Sequence, residues 1–161
     1  SNNDGNNNNQ SSGKGSYNVS GAESGNFSDS TYFMDTTGLS LGTFQLQNTL
    51  VIGNSFNSKD SSQIVGYVFN DNASGNIGQG TYNIKRLDST TTTGALAFVE
   101  INGKSYSSLF TTQQLQGSIV INSRSSNTVK GEYKNIKLYN IQNQSESITL
   151  SGSFNAVARW K

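Results

Sequence analysis

The sequence predicts an all-β fold, an antiparallel β-sandwich or flattened barrel of about nine or ten strands, on three observations. Val129, Gly131 and Tyr133 alternate with Lys130, Glu132 and Lys134. Ile148, Leu150, Gly152, Phe154 and Ala156 alternate in the same way with Thr149, Ser151, Ser153 and Asn155. A period of two places each apolar set on one face of a pleated strand, where a helix would scatter it around its circumference. Second, Asn102-Gly103 stands between two alternating runs and calls for a type I′ hairpin turn, because both turn positions need positive φ. Third, no segment sustains a helical period, and polar turns separate the apolar runs.

Taken in order, Ser1 to Ser16 is mostly Asn, Ser and Gly with nothing to bury, and reads as a flexible tether, so that residues 17–161 make the single folded domain. Tyr17-Asn18-Val19 begins the fold, and Asn26 to Thr37 supplies a second strand with Tyr32, Phe33 and Met34 clustered. From Leu39 one strand is expected to carry Phe44, Leu46, Asn48, Leu50 and Ile52 on a shared face. Ile64 to Phe69 is apolar on both faces, the mark of a strand covered on both sides. Asp71 to Gly80 is a loop, after which Gly80 to Ile84 re-enters the sheet. The Asn102-Gly103 turn sets Ile101 opposite Lys104 and Val99 opposite Tyr106, and the Val99/Tyr106 face is expected to be core and to continue through Ala97 and Phe110. Ser118 to Ile121 precedes the last two strands. Proline is absent, so edge protection is assigned to charge, with Lys130, Lys134 and Lys137 as the residues for it.

Composition narrows the chemistry. Cysteine and histidine are both absent, which removes disulfides, thiolate nucleophiles, imidazole bases and imidazole metal ligands. No catalytic residue and no cofactor is predicted. Glu100 and Glu132 are the only glutamates inside firmly patterned strands, and both alternate with apolar neighbours, so they read as outward-facing charges rather than a glycosidase pair. An EF-hand loop counted from Asp71 would need Gly at Asn76 and Glu at Tyr82, so no metal site is predicted there. The net charge is +1 with no basic block, which speaks against nucleic acid and anionic membrane as partners. Charged residues make up only 13% of the chain, and solubility rests on hydroxyl and amide side chains, a surface suited to the cell exterior. Tyr139 and Trp160 fit the core pattern least well and are the expected exposed aromatics for binding.

The series GTYNI, INGKSYSS, GSIVI, VKGEYKNIKLYN and SITLSGSFNA, spread over Ile64 to Ala156, resembles a group of small all-β surface lipoproteins of Bacteroidota that have no assigned function. The resemblance implies a signal peptide ending in a lipidated cysteine just before Ser1, and hence an outer-membrane, extracellular location with the membrane reached only through that anchor. Asp29-Ser30-Thr31, Asp35-Thr36-Thr37 and Asp88-Ser89-Thr90 each resemble the O-glycosylation motif of that phylum, with Ser30, Thr36 and Ser89 as acceptors. The expected function is a non-enzymatic binding or assembly component whose partner is an outer-membrane protein or a surface glycan. A carbohydrate-binding module or adhesin is the first alternative. A lipocalin-like carrier of a small apolar ligand is the second, although the Gly-x-Trp of lipocalins is missing near the first strand.

Overall fold

The computed structural model describes residues 10–54 and 62–158, which form twelve β-strands with no helix among them. In chain order they are β1 (Lys14–Gly21), β2 (Gly25–Thr36), β3 (Leu39–Leu41), β4 (Phe44–Leu46), β5 (Thr49–Asn54), β6 (Gln63–Asn70), β7 (Gly80–Asn83), β8 (Thr93–Ile101), β9 (Lys104–Ser107), β10 (Ser118–Arg124), β11 (Thr128–Asn140) and β12 (Asn143–Ala158). Ten belong to one mixed sheet that closes on itself. The ring runs β2-β5-β6-β8-β9-β11-β12 and returns to β2, so the predicted all-β architecture takes a form close to a barrel. At the closure β12 meets β2 in parallel through Val157 opposite Tyr32 and Ala158 opposite Phe33. Below that point β1 is wedged between the two, antiparallel to both. β10 and then β7 extend from β11, and an isolated bridge from Ile84 to Ala95 ties the end of β7 to β8.

Several expectations are corrected. β1 begins at Lys14, three residues inside the expected tether, and Gln10 is also engaged, donating from Nε2 to Ser153 Oγ at 3.3 Å. Residues 1–9 lie outside the described residues. The single strand expected from Leu39 is three: Gly42, at φ 63°, turns the chain back so that β3 and β4 form a separate hairpin before β5 joins the sheet. Lys130, Lys134 and Lys137 guard no edge, because β11 is flanked by β12 on one side and by β10 and β9 on the other. Phe110 leaves the core face altogether and is 77% exposed.

The barrel interior is filled by side chains. Tyr17, Tyr133 and Phe154 stack in sequence, with ring centroids 5.8 and 5.3 Å apart and tilted planes, a geometry aromatic pairs favour. Ile52, Ile64, Val68, Val99, Tyr106, Ile119, Ile136 and Leu150 close around them, each at 1% exposure or less. Two glycines make room. A Cβ on Gly131 would overlap the Val120 carbonyl oxygen and the Phe154 ring, and one on Gly66 would stand 2.7 Å from the Tyr133 ring. The alternation of large and small inward residues is therefore part of how this barrel packs.

Candidate functional site

The residues the sequence nominated do not converge. Tyr139 is 6% exposed, which corrects its reading as an exposed aromatic. Asn135, at φ 47°, sits in a register shift of β11, so Ile136 and Leu138 take over the inward face and Tyr139 turns outward. There it is covered by the segment before β10, donating its hydroxyl to Gln114 O at 2.9 Å, with Lys137 Nζ 5.6 Å from the ring centre. Trp160 lies outside the described residues. Ser30 and Thr36 are half-buried within β2, whereas Ser89 is exposed in the turn after Leu87. Asp88 beside it accepts from the Thr90 hydroxyl at 2.6 Å and from its backbone N–H, which holds the carboxyl below its ordinary range. Glu100 and Glu132 are half-buried on the outer side of the sheet, and Glu132 reaches Lys134 at 3.9 Å.

What the structure does assemble is an apolar ledge outside the barrel. β6 and β8 turn Phe69 and Leu96 outward, and Leu46 and Leu87 close over them into a second small core. Leu39, Leu41, Phe44, Tyr67 and Leu109 pack against it while remaining partly exposed. Burial raises the Tyr67 phenol above its ordinary value, as an apolar surrounding requires. Between the β3–β4 flap and the outer face of β8 a groove of about 110 Å³ stays open, lined by Leu41, Tyr67, Leu96, Phe98 and Leu109.

Phe110 stands at the lip of this ledge. Its φ is 61°, the left-handed region that side chains other than glycine, Asn and Asp rarely enter. The flanks fix it there. Ser108 N donates to Ala97 O at 3.1 Å and Leu109 N to Ser107 Oγ at 2.8 Å. Just beyond, Thr111 Oγ1 donates to Gln144 Oε1 at 2.5 Å, while the Arg86 guanidinium donates to Thr111 O and, at 3.0 Å, to Gln113 O. The ring stands beside the flap turn, 3.6 Å from where a Cβ on Gly42 would lie. The sequence carried no signal for this: the period of two places Phe110 on the Tyr106 face, and no turn motif stands in Ser107-Ser108-Leu109-Phe110.

No family model matches the chain, and the searches of curated proteins and of solved structures return no significant match.

Proposed function

We propose that this chain is a non-enzymatic binding domain that recognises a protein partner through the Phe110 ledge, as a component of an assembly on the cell exterior, anchored by a lipid upstream of Ser1. Phe110 is the observation that carries the reading. A left-handed residue with a Cβ costs about 1–2 kcal/mol, and a phenylalanine 77% exposed recovers little of that by burial. Strain of this kind, held in place by flanking hydrogen bonds, marks recognition and active sites. The groove beside it, at about 110 Å³, falls well below the ~300–1,000 Å³ of small-molecule pockets and has the scale of one inserted side chain. A protein partner presenting an apolar residue fits both features.

The exterior location is supported by the hydroxyl- and amide-rich composition, and a lipobox cysteine codon immediately upstream of Ser1 tests the anchor. The absence of histidine and cysteine from the sequence supports the non-enzymatic reading, and turnover in glycan or peptide substrate panels would count against it. A carrier of apolar ligands has less support, because Tyr17, Tyr106, Tyr133 and Phe154 occupy the interior that a cargo would need.

The test is a photo-crosslinking phenylalanine analogue placed at position 110, with position 89 as the control, on intact source cells. A partner captured only from position 110 and then purified should bind Phe110→Asn at least about tenfold more weakly, a loss of ~1.4 kcal/mol. The same variant should be as stable as the parent or up to about 1 kcal/mol more stable, since asparagine tolerates the left-handed region. Unchanged binding by Phe110→Asn would overturn the ledge.

A further inference from the structure

We propose that the partner at the Phe110 ledge is a second copy of this chain, the two copies exchanging Phe110 rings across a two-fold axis so that each ring enters the other's groove. The inference rests on the reading of the ledge as a recognition surface and names what that surface recognises. A two-fold contact needs one patch that complements itself, residue i of one copy meeting residue j of the other and the reverse. The ledge carries both halves. Phe110 projects from its lip at 77% exposure, and the groove of about 110 Å³ opens beside it. Gly42, whose Cβ position lies 3.6 Å from the Phe110 ring, directly follows Leu41 in the groove wall, so knob and hole are neighbours on one face.

The knob is kept out of its own hole. Leu109 N donates to Ser107 Oγ before Phe110, and the Arg86 guanidinium donates to Thr111 O and Gln113 O after it. Between these anchors the left-handed backbone aims the ring outward, and Phe110 is not among the residues lining the groove. Ile141, also a large hydrophobic residue exposed in the described chain, at 52%, lies in the β11–β12 turn and lines no part of this groove.

Charge favours a contact of like with like. Identical copies that meet through a charged patch repel each other. Gly38 to Asn48, which includes the whole flap, has no charged residue, and neither has the groove lining. The net charge of +1 leaves little repulsion at longer range. Among the described residues β3 and β4 pair only with each other, and apart from their shortness they carry none of the charges that guard natural strand edges. An apolar, uncharged and unguarded face suits a partner of the same character, and the chain itself presents one.

Sedimentation velocity of the purified full chain tests the exchange from about 10 μM to 1 mM, the range in which small transient interfaces associate. The weight-average mass should rise from one chain toward two and stop there, since a two-fold contact closes. Phe110→Asn removes the knob and Leu41→Trp fills the hole. Each should weaken self-association at least about tenfold with the fold retained. Mixed in equal amounts, the two variants restore one knob in one hole and should associate more tightly than either alone, which a merely sticky patch would not do. Ile141→Asn should leave the association unchanged. A monomer throughout the range, growth beyond two chains, parental association in Phe110→Asn or Leu41→Trp, loss in Ile141→Asn, or a mixture no tighter than its components would each overturn the exchange. A foreign protein crosslinked from position 110, with the purified chain monomeric, would overturn the exchange and leave the ledge standing; undiminished binding of that protein by Phe110→Asn would remove the ledge as well.

Discussion

Phe154 and Ser153 are neighbours in sequence and opposites in environment. Phe154 is fully buried, its ring centre 5.3 Å from that of Tyr133, while Ser153 is half-buried on the outer face and accepts a bond from Gln10. Phe154→Ala should cost about 3–5 kcal/mol through lost transfer energy and a residual cavity. Ser153→Ala should change stability by about 0.5 kcal/mol or less. Urea denaturation of the two variants checks the register, because a one-residue slip would exchange their faces; equal losses would mean the strand is misplaced. At this scale the sequence was legible wherever strict alternation held, as from Ile148 to Ala156. It misled where the backbone departs from extended geometry. Phe110 and Asn135 both have positive φ: Phe110 leaves the core face it was expected to share, and after Asn135 the inward positions of β11 change parity, from Tyr133 to Ile136 and Leu138. Phe110 gives no residue-type signal of this, whereas Asn135 is of a type that enters the left-handed region readily.

Among the elements, the β8–β9 hairpin was fully readable. Asn102 and Gly103 adopt φ of 53° and 76°, and Val99 pairs with Tyr106 as the turn length dictates. The β3–β4 flap was not. Phe44 to Ile52 keeps its alternation across Asn48, so the pattern there carries no sign that Leu46 joins the outer cluster while Leu50 and Ile52 join the barrel core. Period-two patterning reports which residues are buried, not which of two cores receives them. That ambiguity hid the candidate ledge as well. Among the described residues β3 and β4 pair only with each other, and Leu46, at 2% exposure, is the one fully buried side chain of the flap, with Leu39, Leu41 and Phe44 packed beside it. Small units held by few buried side chains open independently of the whole. Leu46→Ala should therefore speed amide exchange in β3 and β4 while leaving β6 and β8 at the parental rate. Uniform acceleration across the sheet would show that flap and barrel form one cooperative unit.

For the molecule as a whole, the titratable groups divide into two sets that bracket neutral pH. One end of the barrel is latched across three hairpins: Lys104 lies 3.4 Å from both Glu23 and Glu146, Asn102 donates to Glu23, and Asn140 donates to Glu146. The Asn140 hydrogen bond, followed by the Lys104 charge, holds the Glu146 carboxyl below its ordinary 4.5. Its stabilising contribution is present above that value and fades as pH falls through the lowered one. On the alkaline side, Lys104 is raised above 10.5, first by the Glu146 charge, and burial raises the phenols of Tyr17 and Tyr133 above 10. A raised group stabilises the fold below its unfolded value, and the benefit is lost as pH climbs beyond it. Each buried tyrosine that ionises only on unfolding contributes a slope of about 1.4 kcal/mol per pH unit. With no histidine in the chain, no side chain has an ordinary value between the two sets. Urea midpoints should thus be level from about pH 5 to 10, fall gently below, and fall steeply above. Tyr17→Phe should flatten the alkaline limb by roughly one tyrosine's share while leaving the acid limb alone. An alkaline limb unaltered in that variant would place its origin outside the tyrosine core, and a midpoint that drifts between pH 6 and 8 would contradict the two-set division itself.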